Sequence, residues 1–226
     1  MRKQLSYASK IYSVVKKDWL EEFRARYAVN STLLFCVTCL TVVSFSLGGR
    51  VSDPRLQAAL LWVILFFSAM MGLPRAFIKE EDRGTMNTLR LTCEPYQVYI
   101  GKTIANFILL LAVTIIITPL FVVFLNIKIA NLTYFIFTAF FADAGMVCVC
   151  TLISALVAQA RARGTLFPVL VFPVVMPVFL IAVDATAKAF SESSAWNYVN
   201  LPVFLVCFSV AAVVGGMFLF EYIFSE

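Results

Sequence analysis

The sequence predicts an all-α integral membrane protein with six transmembrane helices, an N-terminal interfacial helix and a cytoplasmic coupling helix. Three observations carry this reading. Of 226 residues 62% are hydrophobic and 14% charged, with a mean hydropathy of +0.91, too little polar material to cover a water-soluble core of this size. The apolar residues gather into six runs, at 31–47, 57–73, 104–125, 132–159, 165–184 and 201–220. An apolar helix needs about 20 residues to cross ~30 Å of hydrocarbon, and only the first run is short. None of the runs alternates with period two, which excludes a β-barrel. The chain reads as one domain over 1–226.

Before the first run, Tyr12, Val15, Trp19, Phe23 and Tyr27 recur at three- and four-residue steps, the period of a helix with one apolar face. Lys16, Lys17, Glu21, Glu22, Arg24 and Arg26 lie elsewhere around it, so 11–27 reads as a helix lying on the membrane surface. Basic residues then orient the bundle. Arg2, Lys3, Lys10, Lys16, Lys17, Arg24 and Arg26 precede the first run. Arg75, Lys79, Arg83, Arg90 and Lys102 follow the second, and Arg161 and Arg163 the fourth. The alternate loops hold Arg50, Arg55, Lys128 and Lys188, four against fourteen. Lys and Arg stay on the cytoplasmic side of span ends, so both termini are expected there. The first 30 residues lack a signal-peptide core. The net charge of +5 is then topological and does not point to nucleic acid.

The sizeable polar stretch is 79–102. Glu80, Glu81 and Asp82 precede Gly84 and Thr85, and such residues favour the positive N-terminal end of a helix. Met86 and Leu89 stand at helical spacing, and Pro95 ends the element. A short amphipathic helix joined to two spans suits mechanical coupling; a solvated connector held down by charge fits the pattern equally well.

That loop, lying between the second and third of six spans, resembles the corresponding loop of the ABC-2 type transporter permeases, on the acidic run, Gly84-Thr85, Leu89, Pro95 and Gly101-Lys102. Within them the chain resembles the heme exporter protein B family of cytochrome c maturation. The turn from Ala158 through Gly164, with Arg161 and Arg163, is similar to that family's, as are the proline-rich fifth span (Pro168, Pro173, Pro177) and the lead-in helix with Trp19, Glu21, Glu22, Arg24 and Arg26. The resemblance implies a permease in the bacterial inner membrane, dimeric or paired with a separate ABC ATPase subunit into whose cleft the loop docks. It also implies a heme-loading membrane protein and a periplasmic heme chaperone as partners. Glu80, Glu81, Asp82, Gly84, Thr85, Leu89 and Pro95 would then receive the stroke of the ATPase. The family's work is described both as heme export and as release of the heme-loaded chaperone, and the residues do not choose between them.

Other residues limit the chemistry. Gly101-Lys102-Thr103 imitates the end of a phosphate loop, but Tyr96 stands where that motif needs glycine and no preceding strand is predicted. ATP is therefore expected in a partner, with no cofactor held by this chain and heme as candidate cargo; Lys102 reads as an interfacial anchor. The chain has no histidine, which removes the commonest axial heme ligand and general base. Met70, Met71 and Met176 read as packing residues. Cys36, Cys39, Cys148, Cys150 and Cys207 do likewise, since Cys36 and Cys39 lie inside a span and not in a thioredoxin-like context, and Cys93 reads as a free thiol. No metal cluster is expected.

Asp143 falls near the middle of the fourth run. An ionised carboxylate there costs about 3 kcal/mol on insertion scales, so it faces the protein interior or stays protonated. It reads either as a gate or as the partner of Asn106 or Thr114, with Ala142, Ala144 and Gly145 permitting close helix approach. Pro168, Pro173 and Pro177 each remove a backbone hydrogen bond, which predicts a fifth span able to flex or break. The stretch 185–200 reads either as half-helices re-entering the outer leaflet or as an interfacial helix anchored by Phe190 and Trp196. Two other functions remain open: export of a lipid, polysaccharide or drug, and a non-transporting scaffold for heme-handling proteins.

Overall fold

A computed structural model describes residues 7–24, 26–49, 51–85, 91, 94–158, 160 and 163–225. The elements are α1 (Tyr7–Arg24), α2 (Arg26–Ser46), α3 (Pro54–Gly72), α4 (Arg75–Asp82), α5 (Pro95–Phe124), α6 (Leu132–Ala158), α7 (Arg163–Ser191), a 3-10 turn (Ala195–Tyr198) and α8 (Asn200–Ser225), with no strand among the described residues. Among the described residues, five helices are long and apolar enough to cross a membrane: α3, α5, α6, α7 and α8. The first apolar run gives a shorter stretch, Asn30–Ser46, within α2.

α6 is the central helix, buried along most of its length and packed against α8, α7, α5 and α4. Its sequence explains the position. Small residues Ala139, Ala142, Gly145, Ala155 and Ala158 are buried along it, and small residues let apolar helices approach closely where no hydrophobic effect drives them together. At Gly145 the approach is to α8 and α7, where an added Cβ would lie 3.2 Å from Ser209 Oγ and 3.6 Å from Val178. The Ser209 hydroxyl is shared between the carbonyls of Phe141, 2.8 Å away, and Leu205, 2.7 Å away. Around this axis Trp62, Leu61, Leu65, Leu110, Ile117, Phe121, Phe167 and Val171 fill the core.

Several helix ends differ from their sequence-based expectations. Pro95 does not end an element; it opens α5 at the first helical turn, after a capping box in which Glu94 and Gln97 satisfy each other's backbone groups. Proline is well suited there because the first-turn N–H has no helical partner. α5 therefore begins nine residues before the apolar run at 104. α7 is unbroken from Arg163 to Ser191 in spite of its three prolines. Pro168, Pro173 and Pro177 all lie on its exposed side, so their rings do not disturb the inner face of Phe167, Val171, Val175 and Val178.

The stretch expected to re-enter or to lie flat instead continues α7 to Ser191, followed by the 3-10 turn. Phe190 is core and not an anchor, stacked on Phe135 at 5.6 Å. Trp196 meets Tyr134 edge-on at 5.3 Å. At the same end, Gly48 and Gly49 take φ of 64° and 70° in the turn after α2, a left-handed conformation open to glycine at little cost.

Candidate functional site at the end carrying α1 and α4

α4 is pinned on both sides. Before it, the Pro74 carbonyl accepts a hydrogen bond from Ser154 Oγ of α6 at 2.8 Å. Phe77 is fully buried in a small separate core with Val98, Tyr99, Ala155, Ala158 and Phe220, its ring 5.4 Å from that of Phe220. Its end is a Schellman closure: Gly84 N–H donates to Glu81 O and Thr85 N–H to Glu80 O, both at 3.0 Å, with Gly84 at φ 64°. Glycine is the usual residue at that left-handed position.

Glu80, Glu81 and Asp82 form the last turn of a helix, while the short helix expected after them falls on residues outside the described ones. Carboxylates at a helix C-terminus face the negative end of the macrodipole, so they need cations from elsewhere.

Those cations come from two other helices. Glu80 is 4% exposed. Its Oε1 accepts from Lys17 Nζ of α1 at 2.6 Å and from Lys102 Nζ of α5 at 2.9 Å, while Oε2 accepts from the Thr85 hydroxyl. Lys102 is 2% exposed and also reaches both carboxylate oxygens of Asp18 on α1, at 3.1 Å each; the Phe77 ring lies 5.5 Å from its ammonium. Lys102 is thus the centre of a buried ion cluster, and not an interfacial anchor. Burial alone would raise the Glu80 carboxyl, but the Lys102 charge and hydrogen bonds from Lys17, Thr85 and Lys102 outweigh it and hold the group at about 2. Asp18 goes the other way, raised by burial against the opposing pull of Lys102.

The backbone permits this meeting because residue 101 is glycine. A Cβ there would lie 2.8 Å from Val14 Cγ1, so Gly101 lets α1 lie directly on the first turns of α5. The buried face of α1 runs through Val14 and Asp18, while Tyr12 is 65% exposed. Tyr12, at the head of the sequence stripe, thus lies on the side of α1 turned away from the bundle. One turn earlier on α5, Tyr99 donates its hydroxyl to Cys148 O at 3.1 Å, and its ring fits against Gly216 of α8, where any Cβ would overlap the phenol.

Of the residues singled out in the sequence, Glu80 and Thr85 join this cluster. Glu81 is half-buried and Asp82 exposed, Pro95 opens α5, and Met86, Leu89 and Cys93 lie outside the described residues. Asp143 is fully buried far from the cluster and accepts from Thr114 Oγ1 at 2.8 Å, while Asn106 pairs with Thr151 instead. Cys36, Cys148 and Cys150 are buried thiols as expected, but Cys207 is exposed. Met176 lines an apolar groove of about 250 Å³ with Phe66, Phe67, Phe172 and Phe179. Lys17, Asp18, Tyr99 and Gly216 were not legible as site residues. The i, i+3, i+4 spacing of Val14, Lys17 and Asp18 was the available signal, and it looks like any solvated face until Lys102 is placed beneath it.

Geometrically, the cluster ties three helices into one rigid unit by charge. A family model described as CcmB protein matches residues 9–222, a range that includes every residue of the cluster. Heme exporter protein B of Haemophilus influenzae is 22% identical over 174 residues, which cover 75% of this chain and 77% of that protein.

Proposed function

The chain belongs to the CcmB protein family, and from that premise we propose that it is the permease subunit of an ABC transporter acting in cytochrome c maturation. At family level it is a membrane subunit of a heme-related transporter. In our reading, ATP is hydrolysed by a separate ATPase subunit, and this chain converts that hydrolysis into heme handling, by export of heme or by release of a heme-loaded periplasmic chaperone. The relative's name supports heme as the cargo. With no histidine, the chain supplies no imidazole to hold it, which suits a role alongside a heme-loading membrane protein and a chaperone. The chain would carry no cofactor of its own.

In this reading α2 completes six spans, since 21 residues give a helix roughly 30 Å long. The end carrying α1 and α4 faces the cytoplasm of a bacterial inner membrane, as the fourteen-to-four basic asymmetry favours. α1 lies in the interface, and exposed Tyr12 and Leu20 suit contact with lipid. The permease works as a homodimer or paired with its ATPase.

The observation that supports coupling is the cluster of Lys17, Asp18, Glu80 and Lys102. Any push on the 79–102 loop reaches α4, and through Glu80 it reaches α1 and the third span together. Glu80 transmits the push from inside, while Glu81, Asp82 and Leu89 are the docking residues; Gly84, Thr85 and Pro95 shape the loop.

Deleting the gene and staining membranes for covalent heme tests this reading. Loss of c-type cytochromes, restored by the wild-type chain but not by one with Glu81 and Asp82 changed to lysine that still reaches the membrane in normal amount, is the expected result. Undiminished staining in the deletion strain would overturn the maturation role, and full rescue by the lysine form would overturn docking through α4.

A further inference from the structure

Asp143 has 0% exposure at the centre of α6. Thr114 Oγ1 donates to its Oδ2 at 2.8 Å, while its Oδ1 has no hydrogen-bond partner among the described residues. A buried charge needs a counter-charge, because an unpaired carboxylate in an apolar interior costs several kcal/mol or neutralises instead.

No side-chain cation is within reach. α6 packs against α4, α5, α7 and α8, and the sequence has neither Lys nor Arg in 103–124, 132–158, 164–183 or 201–220. On α5 the nearest cation is Lys102, about 18 Å along the helix axis at 1.5 Å per residue, and it is committed to Asp18 and Glu80. α4 meets α6 around Ser154, roughly 16 Å from Asp143 on the same measure. The other titratable groups on these helices near that level are the thiols Cys148 and Cys150 on α6 and Cys207 on α8 and the Tyr99 phenol of α5, which reaches Cys148 O; neither a thiol nor a phenol supplies a positive charge.

The neutralising cation therefore comes from solution, and its size is limited. Hard metal cations such as Mg²⁺ and Ca²⁺ take about six or more oxygen ligands. Asp143 has one hydroxyl neighbour, and no metal-ligating cluster occurs among the described residues. A proton needs a single oxygen.

We infer that Asp143, positioned by Thr114, is a proton-binding site in the middle of the bundle. Binding transfers a proton from hydronium to Oδ1, forming one O–H bond and releasing water. The pairs Asn106–Thr151 and Thr114–Asp143 fix α5 and α6 antiparallel. That register carries Thr118 to the level of Thr138, one turn beyond Asp143 toward the end away from α4. Both of those hydroxyls are buried without partners among the described residues, so they extend the polar seam from Asp143 toward that end.

The test is infrared spectroscopy of the purified full-length chain in lipid nanodiscs at pH 7, comparing wild type with Asp143→Asn and Thr114→Val. Wild type should show the carbonyl stretch of a protonated carboxyl group that is absent from Asp143→Asn. Thr114→Val retains Asp143, and in it the band should persist but move, because the hydroxyl no longer donates to Oδ2. Absence of a band in both wild type and Thr114→Val would overturn the proposal. So would a thermal stabilisation of wild type by Na⁺ over choline, missing in Asp143→Asn, since that would make the neutralising cation a metal ion.

Discussion

Lys102 decides more than any other residue at the α1–α4 end. It is 2% exposed and shared by two carboxylates from different helices. Breaking a buried pair by removing one partner costs about 3–5 kcal/mol, because the remaining charge stays buried. Lys102→Met should lower the unfolding free energy by about that amount, and adding Glu80→Gln should recover part of it. Acid should act similarly. Glu80 is depressed from an ordinary 4.5 to about 2. Its contribution is therefore complete above its ordinary value and is lost as pH falls toward 2. Thermal unfolding in detergent between pH 6 and pH 2 should show an acid loss in wild type that Glu80→Gln lacks; equal acid sensitivity would refute the assignment. Local pattern could not reveal this cluster, because its members lie 63 and 84 residues apart and each alone resembles an ordinary surface charge. Asp143 was legible, since a lone acid in an apolar run stands out by its cost.

At the scale of elements, the apolar runs were legible as helices because hydropathy is a local property. Their ends were less so. α5 and α7 extend well past their apolar stretches, at Pro95 through a capping box and at Ser191 through helix continued beyond Asp184. Neither extension has a hydropathy signal. The acidic triplet misled for a different reason: Glu80 to Asp82 suit a helix start by dipole, yet they close α4, where Lys17 and Lys102 compensate Glu80. The closest approach in the packing of α5 on α8 is at Tyr99. Tyr99 occupies the space where Gly216 would carry a side chain, so Gly216→Ala should destabilise the bundle by about 1–3 kcal/mol, the usual cost of overpacking. Combining it with Tyr99→Leu should give less than the sum of the two single losses in a double-mutant cycle; strict additivity would show that the two positions do not touch.

For the whole molecule, orientation is the central expectation. On a chain whose six native cysteines are replaced by alanine, Thr85→Cys and Lys128→Cys place single thiols at opposite ends. A membrane-impermeant maleimide added outside intact cells should label Lys128→Cys alone, and labelling of Thr85→Cys alone would invert the bundle. The fold class was written in composition and run lengths, which act through the whole chain at once; the function rested on family membership, since no catalytic or ligand-binding constellation announces it. The ion cluster also constrains biosynthesis. Lys17 and Asp18 leave the ribosome long before Glu80 and Lys102, so α1 enters the membrane surface with its inner charges solvated and waits through the making of two spans. Its final seat exists only once the start of α5 has been delivered, which makes the arrival of Lys102 the moment at which the N-terminal third of the protein becomes fixed in place.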